Sequence, residues 1–187
     1  KNRYLQPTLK AVLSHPNTRK EDVLNAVISW FPAELVQQAY PLIRDSLTEY
    51  MLGNLFRVLE KRDDHKYGPV ADVKKMLLEN PAMTKKIGLQ IMIQEDGELL
   101  KLAFDKYRLE LDGSDLLALY EGVNKNRYKA NILKPEIVGH PNFSKALKIK
   151  VACEDWDINS RAAAIDTLLN DLSDRERHEI VKANLEY

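Results

Sequence analysis

Asp155-Trp156-Asp157 is the one place in this sequence where two carboxylates flank an indole. A carboxylate beside an aromatic face can act on a planar group laid against the ring. The competing reading is structural: a loop with Trp156 packed on the core and Asp157 capping the next helix. The histidines, His15, His65, His140 and His178, include no His-x-x-x-His pair, and the single cysteine excludes a Cys-x-x-Cys site. Cys153 reads as a small buried hydrophobe. His15 and His140 each precede a proline and read as turn residues. The acid pairs Asp63-Asp64 and Glu95-Asp96 read as solvated helix ends. There is no Gly-rich phosphate loop and no Gly-x-Ser-x-Gly, and seven glycines leave little material for either. No catalytic residue, metal site or cofactor is therefore expected.

Charge is more informative. Residues 123–150 carry Lys125, Arg127, Lys129, Lys134, Lys145, Lys148 and Lys150 against one acid, Glu136. Tyr128, Asn126, Asn131 and Asn142 lie among them. Lys and Arg give phosphate affinity without reading sequence. Lys125, Arg127, Tyr128, Lys129, Lys134, Lys145 and Lys148 are thus candidate nucleic-acid or anion contacts, against the plainer reading of solvated helix faces. Residues 93–121 hold eight acids against three bases, and residues 154–187 hold nine against four. The formal net charge of zero, from 28 bases and 28 acids, is therefore a cancellation of local blocks. It excludes bulk electrostatic binding and leaves a local anion-binding face open.

The elements that must position these residues read as helices. With 187 residues, 44% of them hydrophobic, the chain is long and apolar enough for a sizeable core. One cysteine excludes a disulfide framework. No apolar run approaches the roughly 20 residues of a membrane helix, so no membrane partner is expected. Helical spacing marks 18–30, opened by a capping-box pattern at Thr18 and Glu21, then 33–40 and 42–59. Lys61 to Pro69 reads as a linker. Further stripes follow at 70–77, 84–94, 98–110, 114–120, 144–154 and 158–172. In the last of these Ile158, Ala162, Ile165, Leu168, Leu169 and Leu172 are expected inward. Ser173 and Glu176 form a second capping box before a final helix. The sum is an all-α chain of nine to ten helices with no sheet.

Three sites look alike: His15-Pro16-Asn17, Asn80-Pro81-Ala82 and His140-Pro141-Asn142. Each follows an apolar stretch, and each has a lysine four residues after its proline: Lys20, Lys85 and Lys145. Lys1-Asn2-Arg3-Tyr4 and Lys125-Asn126-Arg127-Tyr128 precede the first and third. This pattern suggests a helix–turn–helix unit used three times, each burying its apolar face against the next. The stretch from Asp155 to Leu169, with its Asp, Arg161, three alanines and Leu-Leu, resembles the second half of a HEAT-type repeat. The 60–65 residue spacing of the prolines departs from the roughly 40–47 residues of that family. The resemblance implies an irregular, right-handed helical-repeat domain of the HEAT/armadillo kind, or else a multi-helix bundle.

The organisation expected is one domain over 1–187, with sub-units at 1–61, 69–122 and 125–187. Starting at Lys1 without a signal segment, the chain reads as an intracellular piece of a longer protein. The function this favours is a non-catalytic protein–protein interaction module or scaffold. The alternatives are a nucleic-acid-binding domain using 123–150, and a base-excising helical-repeat enzyme. The last rests on a resemblance of Asp155 and Trp156 to the aspartate and aromatics with which such glycosylases meet an extruded base.

Overall fold

The computed structural model describes residues 5–30, 36–37, 39–61, 70–95, 97–125 and 127–185. Among them are eleven α-helices and no strand. They are α1 Leu5–Ser14, α2 Lys20–Trp30, α3 Glu49–Glu60, α4 Ala71–Leu78, α5 Lys85–Gln94 and α6 Gly97–Tyr107. The rest are α7 Gly113–Asn124, α8 Arg127–Gly139, α9 Lys145–Glu154, α10 Ile158–Leu168 and α11 Asp174–Leu185. The all-α reading holds, with 3₁₀ turns at Tyr40–Leu42, Arg44–Ser46 and Arg108–Glu110.

One expected helix divides. Residues 42–59 share a helical stripe, yet Leu47 is extended and the Thr48 hydroxyl caps α3 by accepting the Met51 N–H. Pro41 sits at the start of the 3₁₀ turn, where its missing N–H is not needed. Leu42 and Tyr50 consequently point outward, while Ile43, Leu47, Leu55 and Leu59 are buried. Of residues 33–40 half are described, Val36 and Ala39 among them, both buried; the linker from 62 to 69 lies outside the described residues.

The backbone groups into two compact units, 1–88 and 89–187, the boundary falling within α5. In the first, α3 packs against α2 and α4. Its core holds Leu52, Leu55, Leu59, Val73 and Leu77. In the second, α8 packs against α6, α7 and α10, while α9 packs against α10 and α11. Leu100, Phe104, Leu116, Leu119, Leu133 and Ile137 are completely enclosed there. Gly97 takes φ 59°, a left-handed conformation suited to glycine, in the turn between α5 and α6.

The three proline turns share one set of hydrogen bonds. His15, Asn80 and His140 donate their backbone N–H to the carbonyls of Val12, Leu77 and Ile137 at 3.2, 3.1 and 3.2 Å. Their own carbonyls receive the N–H of Thr18, Met83 and Phe143 at 3.0, 3.0 and 3.1 Å. Each side chain then accepts the N–H two residues on. Asn17 donates to His15 Nδ1 at 3.3 Å, Ala82 to Asn80 Oδ1 at 2.9 Å, and Asn142 to His140 Nδ1 at 3.1 Å. An imidazole Nδ1 and an amide Oδ1 occupy the same place relative to the backbone, so His and Asn close the same turn. The intervening proline lacks an N–H that this pattern never uses.

A second feature recurs. Thr48, Asp112 and Ser173 cap α3, α7 and α11, each accepting the N–H three residues on at 3.4, 3.0 and 3.3 Å. Asp112 and Ser173 do so reciprocally. Asp115 accepts the Asp112 N–H at 3.1 Å and Glu176 accepts the Ser173 N–H at 2.7 Å, which completes the capping box read at Ser173.

Candidate functional site

The acid–aromatic cluster and the basic segment meet in the second unit. Asp155 ends α9 in extended conformation. Lys134 lies in α8, and its Nζ reaches Asp155 Oδ1 at 2.6 Å. Both side chains are sealed from solvent, at 0% and 2% exposure. Asp155 Oδ1 also accepts the Asp157 N–H at 2.9 Å, and Oδ2 accepts the Tyr120 O–H from α7 at 2.5 Å. The Lys134 ammonium lies 5.2 Å from the Tyr120 ring centroid and 4.8 Å from that of Trp156. Two ring faces and one carboxylate thus replace the water lost on burial. Burial, and then the Asp155 carboxylate, push the Tyr120 phenol far above its ordinary pKa. It therefore acts as a fixed donor.

Asp157 is the N-cap of α10. Its Oδ1 accepts the Asn159 N–H at 3.3 Å, and its Oδ2 accepts the Ser160 N–H at 3.1 Å and the Ser160 hydroxyl at 2.5 Å. The cap was legible in the sequence; the expected packing of Trp156 on the core is corrected, since this indole is 53% exposed. It lies against the buried ammonium and is half open to solvent. Neither carboxylate opens onto a substrate: Asp155 and Asp157 are buried and committed to the interior. Tyr120 was missed by the sequence reading. Asp155 is 35 positions away from it, and nothing local connects them.

Among the described residues, the candidate basic side chains are divided between surface and interior. Lys125 is exposed at the end of α7. The side chains of Arg127 and Tyr128 lie outside the described residues. Lys129 is buried, donating to the Ile93 carbonyl at 2.7 Å. Lys134 is enclosed as above. Lys148 is buried, and burial holds its ammonium below the ordinary lysine pKa. Lys145 is exposed but donates to Glu176 at 3.0 Å. A linear count of charge treats lysines as solvated, yet three of these bury a long apolar stem with the head group.

Exposed apolar groups sit on the same side of the sequence. Ile158, beside Trp156, is 75% exposed, and Leu169 is also exposed. The inward stripe expected for 158–172 is corrected in part: Leu168 is buried as expected, but α10 encloses Ser160 and Ala164 with it, while Ile158, Ala162 and Leu169 are exposed. Helical spacing reported the period correctly and the facing direction wrongly, because Ser160 is small and hydrogen-bonded enough to be enclosed. A shallow groove of about 430 Å³ is lined by Gly97, Glu98, Lys101, Leu102, Asp105 and Ile132. Comparison with protein-family models, curated proteins and solved structures gives no match in any of the three.

Proposed function

We propose that this chain is a non-catalytic, helical-repeat protein–protein interaction module. The observation that carries this reading is the Trp156–Ile158 corner, an exposed indole and an exposed isoleucine on a base that cannot give way. The base is the Lys134–Asp155–Tyr120 network with the Asp157 cap. A large aromatic held in one orientation loses little entropy on binding, which is why such residues anchor interfaces. The repeat reading is supported by the three identical turns and the three matching helix caps. The pairing of α8 with α6 and α10, and of α9 with α11, joins helices two apart in sequence, as in stacked HEAT-like arrays. The module reading is further supported by the residues with chemical potential being committed to internal bonds.

The test is selection of a displayed random peptide library on the immobilised chain. Peptides enriched on the native chain should lose most binding to Trp156→Ala and to Ile158→Asp, while both variants keep the native thermal transition. Enriched peptides indifferent to both substitutions would overturn the reading. Nucleic-acid binding has a separate readout: salt-dependent retention on a single-stranded oligonucleotide, lost in Lys125→Glu with Arg127→Glu, would favour the alternative.

A further inference from the structure

The groove between α6 and α8, about 430 Å³, shares no residue with the Trp156–Ile158 corner. Both helices lie in the middle of the chain, with further helices before and after them. Along the groove α6 presents Glu98, Leu102 and Asp105 at spacings of four and three, the spacing of one helix stripe. Four residues on, in the 3₁₀ turn that follows α6, stands Leu109. Leu102 is 39% exposed and Leu109 96%, the most exposed large hydrophobic side chain among the described residues. From α8 the groove takes Ile132, and Pro135 and Gly139 follow it at helical spacing, all three half-buried. A Cβ added at Gly139 would meet nothing within 4 Å.

The repeating pattern of the fold does not require these leucines. The caps of α7 and α11, Asp112 and Ser173, are 61 residues apart, and α6 and α10 precede them in the same way. On that count Phe104 is matched by Ile165 and Leu111 by Leu172, apolar in both helices. Leu102 and Leu109 are matched by Ala163 and Asn170. The leucines are therefore neither buried by the fold nor repeated with it. With Ile132 across the groove they present an apolar line to solvent, the mark of an interaction surface.

Charge says what kind of partner fits. Lys101 is the one base lining the groove, and it is spent on α8: its Nζ donates to Glu136 Oε1 at 2.5 Å. That bond holds the ammonium above the ordinary lysine pKa. Lys106 is turned to the Tyr107 ring, 5.3 Å from its centroid, and Arg108 stands beyond the groove beside Leu109. Glu98 and Asp105 line the groove as carboxylates, and Asp105 has no hydrogen bond or ion pair among the described residues. Size agrees with a helical occupant. From Gly97 to Asp105 the wall is about 12 Å long at 1.5 Å per residue, two turns of helix. Docked helices place their anchors over that span, at i, i+3 or i+4, and i+7.

We infer that the α6–α8 groove receives an amphipathic helix of a partner protein. Its two aliphatic anchors lie over Leu102 with Ile132 and over Leu109, and a lysine or arginine between them meets Asp105. The inference is independent of the Trp156 corner.

The test is a displayed library of helical peptides with leucine or isoleucine at two positions seven apart and all other positions varied. Selection on the Trp156→Ala chain removes binders of the corner, so the two readings stand or fall separately. Enriched helices should carry a lysine or arginine between the anchors and bind more weakly at high salt. Their affinity should fall about ten-fold or more for Leu102→Asp and for Asp105→Lys, each checked for a native circular-dichroism melt. Should Leu102→Asp melt early, Leu102→Gln takes its place. The decisive arm is a charge swap: a peptide with glutamate in place of its central base should recover binding to the Asp105→Lys chain and lose it to the chain with Asp105 intact. No enrichment over the Leu102→Asp chain, enriched helices without a central base, or affinities indifferent to Asp105→Lys would each overturn the inference.

Discussion

Helices α7 and α11 begin with the same reciprocal cap and differ in what lies over them. α7 packs against α8 and buries Leu116, Leu119 and Val123, and its Tyr120 is tied through Asp155 to Lys134 of that helix. α11 packs against α9, buries only Ile180, and offers Val181 where α7 has that tyrosine. The contrast teaches that a cap and a helical period fix an element locally, while burial of a given position depends on a neighbour contributed from elsewhere. Where the neighbour is present, even a charged residue is drawn into the core. Where it is missing, valine and leucine face water.

The sharpest way to break this comparison is to remove the tie. Lys134→Ala leaves Asp155 buried without a counter-charge and should lower unfolding free energy by about 3–5 kcal/mol. Lys134→Met combined with Asp155→Asn should recover most of that, since the amide oxygen can still accept the Asp157 N–H while its NH2 donates to the Tyr120 hydroxyl oxygen. Val181→Ala, at the matching position of α11, should change stability by no more than about 0.5 kcal/mol. Urea titrations of the three variants measure this. A Lys134→Ala effect as small as that of Val181→Ala would dissolve the distinction.

A smaller effect separates α6 from α10. Phe104→Ala empties an enclosed site and should cost about 3–5 kcal/mol. Ile165→Ala, at the equivalent half-buried position, should cost clearly less, near 1 kcal/mol, because less apolar area is withdrawn from water. Equal losses would mean that the Ile165 side of α10 is as fully enclosed as that of α6.

The smallest effect is electrostatic and belongs to the α11 cap. The Ser173 N–H, the Lys145 ammonium and the Ser173 hydroxyl hold the Glu176 carboxyl down at about 2, from an ordinary 4.5. A depressed carboxyl stabilises the fold fully above its unfolded value and loses that contribution as pH falls from about 4.5 toward 2. Glu176→Gln should therefore lower the melting temperature slightly at pH 7 and leave it unchanged near pH 2. A constant difference at both pH values would remove the carboxylate from the account of this cap.

Much of this was readable from residue order. Helix class followed from spacing. The Ser173 box, the Asp157 cap and the likeness of the three proline turns followed from residue types at short range, because each is closed by bonds spanning two or three residues. Those bonds need no distant partner, so local sequence suffices to specify them. Facing direction was not available in the same way. Lys134 and Asp155 are 21 positions apart, and Tyr120 is 35 from Asp155. The lysines at 129, 134 and 148 read as surface charge until a carboxylate, a carbonyl or an apolar wall was brought against them. The outward stripe of Ile158 and Leu169 read as core for the mirror-image reason. Sequence by itself determined the helices, their caps and their turns. Tertiary packing alone decided which charges are buried and which apolar side chains are left facing water, because burial is a property of what arrives from the rest of the chain.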